Sequence, residues 1–267
     1  MTTNDGAHDG RLAFTRKGSG PPVVFLHGLG ASQAQSQATL ADVSGIELIT
    51  IDAPAHGGSV SSTVPLDFGS FASAIAGLLD ELDVGPAIIG GISMGSGIAL
   101  RIAVDFPDQV TGLVLVRPAW TDKPGRPHLN IVADVGAWIS ADGIEATRAR
   151  LEADDRYQQM MATSPLLAGS VAAAIDARAV AGHPEVLMAM VDSHPVDALS
   201  DLAAVAQRAL LISNESDPLH PTEVADEIAT ALPNAELKVA PPRYLEAEAH
   251  QDFLTTTINT FIADDLG

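Results

Sequence analysis

The sequence predicts an α/β fold, in which a mostly parallel, doubly wound sheet carries an inserted helical cap. Short apolar runs alternate with longer amphipathic stretches along most of the 267 residues, and this alternation is typical of parallel strands covered by helices on both faces. The alternation is interrupted once, between about residues 119 and 205, where five prolines divide a helical pattern. We therefore expect a core domain of residues 1–118 and 206–267, and a helical cap of residues 119–205.

The individual elements follow from local patterns of apolar residues. An antiparallel edge strand is expected at 11–17. Six apolar runs ended by turn residues predict parallel strands, at 23–27, 46–52, 86–92, 113–116, 209–213 and 236–239. Apolar residues that recur every three or four positions predict helices, at 67–82, 94–105, 222–232 and 250–262.

Composition and charge exclude several classes of protein. The formal net charge is −20, with only 14 Lys plus Arg, so no basic face is expected for nucleic acid or for an anionic membrane. The chain has no cysteine, which excludes disulfides, thiolate metal sites and a cysteine nucleophile. The N-terminal segment is polar, and no run of about 18 apolar residues occurs. A cytoplasmic protein with a small-molecule substrate is expected, and nothing in the sequence indicates its oligomeric state.

The segment Gly91-Ile92-Ser93-Met94-Gly95 matches the pattern G-x-S-x-G. It lies between a predicted strand and a predicted helix, which is the context of a nucleophile elbow. In an elbow, a sharp turn presents the serine hydroxyl above the sheet, and the glycines let the strand and the helix pass closely. Ser93 is therefore the candidate nucleophile.

A serine nucleophile needs a base, and the base needs a carboxylate that orients it. In the elbow context these groups follow in the chain order Ser, acid, His. Asp217 follows a predicted strand and is the candidate acid, with Glu215 and Asp122 as rivals. His250 follows the last strand and is the candidate base. His220 is the only other histidine after Asp217, but three residues leave no room for a strand and a helix between acid and base.

The chain resembles the α/β-hydrolase superfamily over nearly its whole length, and four pieces of the sequence carry the resemblance. They are FLHGLG at 25–30, DAPAHGGS at 52–59, the elbow at Ser93, and Asp217 with His250 downstream. The resemblance implies the α/β-hydrolase fold and a serine hydrolase activity that requires no cofactor.

By the same resemblance, the backbone N–H groups of Leu29 and Met94 form the oxyanion hole. Met94 also opens a helix, whose unpaired N–H groups and positive dipole end suit a developing oxyanion. Some positions depart from the family pattern without removing a catalytic group. Ile92 stands where many relatives carry a polar residue, Ala55 and Asn214 stand where glycine is usual, and no Gly-His pair precedes the last helix. These departures leave the substrate open.

The predicted cap holds residues that suit an adaptable apolar pocket. The candidate pocket residues are Trp120, Trp138, Met160 and Met188, with packing between cap and sheet as the alternative for each. The three histidines of the cap lack the spacing of metal ligands, so no metal site is expected.

The predicted reaction is hydrolysis of a carboxylic ester, thioester or lactone of a small, largely apolar substrate through an acyl-enzyme on Ser93. Two alternatives stay open. The same triad could serve carbon–carbon bond hydrolysis, acyl transfer or perhydrolysis, because one fold hosts many reactions. A non-catalytic protein could also use the capped cavity as a receptor, although the intact set of Ser93, Asp217 and His250 argues against it.

Overall fold

The computed structural model describes residues 2–4, 11–176 and 182–265. Its strands are β1 (Thr2–Asn4), β2 (Phe14–Gly18), β3 (Pro22–Leu26), β4 (Glu47–Ile51), β5 (Ala87–Ile92), β6 (Val110–Val116), β7 (Arg208–Asn214) and β8 (Ala235–Ala240). They form one sheet in the order β1-β2-β4-β3-β5-β6-β7-β8. The β1–β2 and β2–β4 pairs are antiparallel, and all later neighbours are parallel. The predicted mostly parallel α/β sheet is confirmed.

Nine α-helices lie in the described part of the chain. They are α1 (Gln33–Thr39), α2 (Phe68–Glu81), α3 (Met94–Asp105), α4 (Asn130–Glu152), α5 (Asp155–Thr163), α6 (Pro165–Asp176), α7 (Glu185–Asp192), α8 (Thr222–Ala231) and α9 (Ala247–Asp265). Helix α2 begins where the sequence predicts it, because the Asp67 side chain accepts a hydrogen bond of 2.7 Å from the Ser70 backbone N–H and so caps the helix.

Helices cover both faces of the sheet. Successive side chains of a strand point to opposite faces, so one strand contributes to the apolar core on each side. Val24 and Leu26 of β3 belong to one apolar cluster, which also takes in buried residues of α2, α3 and α8. Val23 and Phe25 belong to a second cluster, with Leu254 and other buried residues of α9. The sheet is therefore doubly wound, and these side chains of β3 are buried on both of its faces.

The chain between β6 and β7 holds helices α4 to α7 and no strand among its described residues. The buried side chains of these helices join the same apolar cluster as α2 and α3. Gly136 of α4 lies against α7, where a Cβ would approach Leu187 Cβ to 2.8 Å. Gly143 interrupts α4 with a φ of 80°. The helical character of the insertion agrees with the sequence, and the boundaries at 119 and 205 stay predictions.

Two elements of the structure were not predicted from the sequence. Helix α1 has the sequence QAQSQAT, which lacks the apolar periodicity that marks an amphipathic helix. Strand β1 is three residues long, too short to show an alternating pattern. The last helix begins at Ala247, three residues before the predicted start. None of the described helices has the length and apolar character needed to cross a membrane, and the cytoplasmic location stays a prediction.

Candidate active site

Ser93 occupies a sharp turn between β5 and α3. Its φ of 54° and ψ of −111° are unfavourable for a residue with a side chain. The turn is held by the Ser93 backbone N–H, which donates to Val116 O at 2.9 Å, and by the Ser96 hydroxyl, which donates to Gly91 O at 2.8 Å. A Cβ on Gly95 would clash with the carbonyl of Leu26. The close approach of backbones explains why the motif needs its glycines.

His220 connects Ser93 to a buried carboxylate. His220 Nε2 lies 2.9 Å from Ser93 Oγ, and His220 Nδ1 lies 2.9 Å from Asp217 Oδ2. An ionised carboxylate can only accept, so Nδ1 carries the proton and donates it to Asp217. Nε2 is then free to accept from the serine hydroxyl. This is the arrangement that general-base activation of a serine requires.

A single turn after β7 carries both Asp217 and His220. The backbone N–H of Leu219 donates to Asp217 Oδ1 at 3.1 Å, and the backbone N–H of His220 donates to Asp217 O at 3.1 Å. The first of these bonds is an Asx turn, which folds the chain back over the aspartate side chain. The imidazole therefore reaches its own carboxylate without an intervening strand or helix. The sequence-based argument against His220 was wrong for this reason.

The structure does not bring His250 to Ser93. His250 lies in the first turn of α9 and is 3% exposed, and its Nδ1 lies 2.8 Å from Pro241 O. The described hydrogen bonds include none from its ring to Ser93 or Asp217. Burial lowers the pKa of His250, and the charges of Arg117 and Arg243 lower it further. His250 thus fixes the start of α9 to the loop after β8. The position beside Ser93 that was predicted for His250 is occupied by His220.

Asp217 has the environment of an ionised carboxylate. Its side chain is fully buried, and Arg117 Nη1 lies 3.8 Å from Oδ2. Burial by itself raises the pKa of Asp217, but the charge and hydrogen bond of His220, together with Arg117 and the Leu219 N–H, outweigh burial and leave the pKa well below its usual value. Of the rival acids, Glu215 is exposed, and Asp122 accepts from the backbone N–H of Leu199 at 3.3 Å.

The loop after β3 passes directly over the serine. A Cβ on Gly28 would lie 3.6 Å from Ser93 Cβ, and both Leu29 and Gly30 line the cavity above Ser93. The backbone N–H groups of Leu29 and Met94 donate to no acceptor in the described part of the chain. For Met94 this follows from its place as the first residue of α3. Both backbone N–H groups are thus without another acceptor among the described residues, and their assignment to an oxyanion hole stays a prediction.

Two buried histidines hold this loop in place. His27 donates from Nδ1 to Gly28 O at 2.8 Å and accepts from the Ala53 backbone N–H at 3.0 Å. His56 donates to Pro54 O at 2.9 Å and accepts from the Gly30 backbone N–H at 3.1 Å. Burial lowers the pKa of His27 to about 4, and burial together with His27 lowers the pKa of His56 to about 3. Both rings are therefore neutral at pH 7, as their accepting nitrogens require.

The cavity above Ser93 has a volume of about 280 Å³. Of the four predicted pocket residues only Trp120 lines it, and its Nε1–H donates to Met190 O at 2.9 Å. Trp138 is buried beneath the guanidinium of Arg150, 4.5 Å from the ring centroid. Met160 lines a second cavity of about 260 Å³. Met188 lies beside Gly136 in the packing of α4 against α7. The prediction is therefore wrong for Trp138, Met160 and Met188 as residues lining this cavity.

The remaining wall of the cavity is apolar with one cationic part. The apolar side chains come from the insertion and from the loop after β7, and they include Leu129, Val132, Val135, Leu187 and Leu219. The cationic part consists of Arg117, after β6, and Arg243, after β8.

Sequence reasoning missed both arginines and His220. A Gly-His pair is absent before α9, and that absence was the available signal against His250. The described residues contain no cluster of side chains that could hold a metal ion.

A serine on a strand–turn–helix, at the centre of a mostly parallel sheet, defines an α/β protein with a nucleophile elbow. Comparison with known sequences gives the family: residues 21–244 match the alpha/beta hydrolase fold, and the chain belongs to this family. The resemblance seen in the sequence is confirmed.

Among curated relatives, the sn-1-specific diacylglycerol lipase ABHD11 of Danio rerio is 33% identical over 153 residues, which are 55% of this chain and 48% of that protein. A putative non-heme haloperoxidase of Mycobacterium phage D29 is 35% identical over 111 residues, which are 41% of this chain and 40% of that protein. The match thus spans less than half the length of either relative.

Among solved structures, a thermophilic esterase from Thermogutta terrifontis shares the fold. It superposes with a TM-score of 0.74, covering 95% of this chain and 93% of the esterase, at 20% sequence identity. The fold that the two proteins share therefore includes the insertion between β6 and β7.

Proposed function

We propose that the protein is a serine hydrolase that cleaves a carboxylic ester, or a thioester or lactone, of a small substrate with an apolar body. Ser93 is the nucleophile, His220 the base, and Asp217 the carboxylate that orients the base. The observation that carries this proposal is the unbroken hydrogen-bond chain from Ser93 Oγ through both ring nitrogens of His220 to Asp217, with 2.9 Å at each step.

In the first half of the reaction, Ser93 Oγ attacks the carbonyl carbon of the substrate. The hydroxyl proton passes to His220 Nε2, and the ring becomes an imidazolium that Asp217 stabilises. The carbonyl oxygen becomes an oxyanion. When the bond to the leaving group breaks, His220 returns its proton to the departing oxygen or sulfur. The acyl group is then held as an ester on Ser93.

In the second half, water replaces the alcohol. His220 takes a proton from the water, the hydroxide oxygen attacks the acyl carbon, and the Ser93 oxygen leaves and recovers its proton from the imidazolium. The products are a carboxylic acid and the free enzyme. Because every proton that moves passes through Nε2, the tautomer fixed by Asp217 is needed in both halves.

The oxyanion is stabilised, on this proposal, by the backbone N–H groups of Leu29 and Met94. Two observations support this assignment. Both donors lack another acceptor among the described residues, and Gly28, next to Leu29, lies against the Ser93 side chain. The neutral rings of His27 and His56 hold the loop that carries Leu29. One donor of this kind is worth about 3 kcal/mol in the transition state.

The shape of the cavity favours a small acyl group. A volume of about 280 Å³ lies at the low end of ligand pockets in proteins. Trp120 and aliphatic side chains of the insertion form one part of its wall, and this part suits a short hydrocarbon chain. The triad also permits perhydrolysis, and the similarity to a protein named a putative non-heme haloperoxidase favours testing this second reaction.

The proposal is tested by exposing the protein to a fluorophosphonate and measuring its intact mass, with Ser93→Ala as the matched variant. We expect one adduct on the wild type and none on the variant. The wild type should also hydrolyse p-nitrophenyl acetate with a burst, since an acyl-enzyme accumulates on activated esters. A folded wild type that takes up no label and turns over no ester would contradict the proposal and favour a receptor.

A further inference from the structure

We propose that the cavity binds the carboxylate of an anionic substrate through Arg117 and Arg243, beside the ester carbonyl that Ser93 attacks. The substrate class is then a half-ester of a short dicarboxylic acid, or a lactone that carries a carboxylate. The inference rests on the proposed ester hydrolysis for its chemistry, but the binding of the anion can be measured without any turnover.

The charge of the cavity wall differs from the charge of the whole chain. The chain has 34 Asp plus Glu and only 14 Lys plus Arg. Yet the described lining of the cavity includes Arg117 and Arg243 and no acidic side chain. Asp217 lies behind the wall, with its side chain fully buried. Two of the few cations of this acidic protein therefore face the candidate nucleophile's cavity.

Arg117 is a buried cation with unmet hydrogen-bonding capacity. Its side chain is 5% exposed, and its contact with Asp217 is 3.8 Å long, beyond hydrogen-bond length. Its guanidinium hydrogen-bonds Tyr244, but its Nε has no partner among the described residues. A buried donor without an acceptor destabilises the folded protein, and more so when the group is charged. This Nε is closed off from the cavity, but the Arg117 side chain lines the cavity, so an anion bound there would lie beside a buried positive charge.

Arg243 brings a second positive charge from the loop after β8. It is half-buried, and its described contacts are with the neighbouring Tyr244: Nη1 lies 3.5 Å from the hydroxyl, and the guanidinium lies 5.2 Å from the ring centroid. No described carboxylate lies within 4.0 Å of it. This loop is where the sequence placed the base. With His220 in that role, the loop contributes an arginine instead.

Without a ligand, the positively charged side chains at the site outnumber the negatively charged ones. Asp217 contributes one negative charge, Arg117 and Arg243 contribute two positive charges, and His220 is neutral when it accepts from Ser93. Burial lowers the pKa of Arg117, and the charge of Arg243 lowers it further. One bound carboxylate leaves the site neutral.

The chemistry of the two arginines and the size of the cavity define the ligand. The planar guanidinium matches a carboxylate with two parallel hydrogen bonds. The apolar wall around Trp120 and Val135 suits a short hydrocarbon link between this carboxylate and the ester. A volume of about 280 Å³ leaves room for a chain of only a few carbons.

A pair of esters of equal length tests the proposal. The mono-p-nitrophenyl ester of glutarate carries a carboxylate where the p-nitrophenyl ester of pentanoate carries a methyl group. We expect the wild type to prefer the glutarate ester at least tenfold in kcat/KM, and Arg243→Gln to lose at least tenfold of that preference. Arg243→Lys keeps the charge but not the planar fork, and should lie between them. Lys123→Gln removes one exposed charge outside the cavity and should keep the wild-type preference.

A binding measurement separates this inference from the proposed function. Glutarate is titrated into Ser93→Ala by calorimetry, beside the double variant with Arg243→Gln. We expect binding that weakens at least tenfold in the double variant. Glutarate binding by a protein that hydrolyses neither ester would refute the proposed function and keep the anion site. Equal hydrolysis of both esters, or no binding of glutarate to the folded Ser93→Ala protein, would overturn the anion site.

Discussion

Asp217 and His220 lie three positions apart in the chain and face each other across a hydrogen bond of 2.9 Å. The Asx turn between them, closed by the Leu219 N–H, makes the acid and the base parts of one local structure. Their relative geometry depends on this turn, whereas the position of the pair over Ser93 depends on where β7 ends in the sheet. With His220 as the proposed base, the loop after β8 does not need to supply one.

The first prediction concerns the orienting acid. Asp217→Asn replaces a carboxylate with an amide, which can donate to Nδ1 and so favour the wrong tautomer of His220. We expect kcat for an activated ester to fall by about three to four decades with little change in KM. Steady-state kinetics on p-nitrophenyl acetate measures this. Glu215→Gln removes an exposed carboxylate two residues away and should change kcat less than twofold; a large loss there would show that the wrong acid was chosen.

The second prediction concerns the packing of the elbow. In Gly95→Ala the new Cβ meets the backbone of β3 at Leu26, which has no rotamer by which to move away. We expect a loss of about 3 kcal/mol or more in the free energy of unfolding, measured by urea denaturation. Gly77→Ala is the matched control, because Gly77 is exposed on α2 with nothing within 4 Å of its Cβ position. It should stabilise the protein by about 0.5–1 kcal/mol.

The third prediction concerns the pH dependence of stability. The pKa of His27 is lowered from 6.5 to about 4 and that of His56 to about 3, so the unfolded chain binds these protons before the folded protein does. Stability must therefore fall as the pH decreases from about 6.5 towards these folded values. Each histidine contributes a loss of about 2 kcal/mol between pH 7 and pH 5.

This dependence is measured by urea denaturation at pH 7 and at pH 5, for the wild type and for His56→Gln. Glutamine has no charge to gain, so the loss of stability between the two pH values should be about 2 kcal/mol smaller in the variant. The comparison uses each protein's own value at pH 7, which removes the cost of the substitution itself. An equal loss in the two proteins would show that His56 is not buried as a neutral ring.

The sheet, the main helices and the elbow could be predicted from the sequence because each has a local signal. Strand β5 is a buried apolar run that ends at Ile92, directly before Ser93, and α2 has apolar periodicity after the capping residue Asp67. The base could not be identified in the same way. Whether a histidine reaches an aspartate three positions away depends on the turn between them, and a Ser-acid-His chain order is satisfied equally by His220 and His250.

The pocket shows a second limit of sequence reasoning. Trp120 follows β6 closely, so its position is fixed by the end of a strand. Trp138, Met160 and Met188 lie on helices of the insertion, where an apolar residue can face a neighbouring helix or a cavity. Met188 packs beside Gly136 of α4, Trp138 lies beneath the Arg150 guanidinium, and Met160 lines a second cavity. Composition alone does not carry that information.

The most direct test of the account compares the two histidines. His220→Ala and His250→Ala are assayed on p-nitrophenyl acetate after circular dichroism has shown that both are folded. Because His220 contacts Ser93 and His250 contacts Pro241, we expect kcat/KM to fall by about four to six decades in His220→Ala and by less than about tenfold in His250→Ala. The opposite pattern, with activity kept in His220→Ala and lost in His250→Ala, would contradict the assignment of His220 as the base.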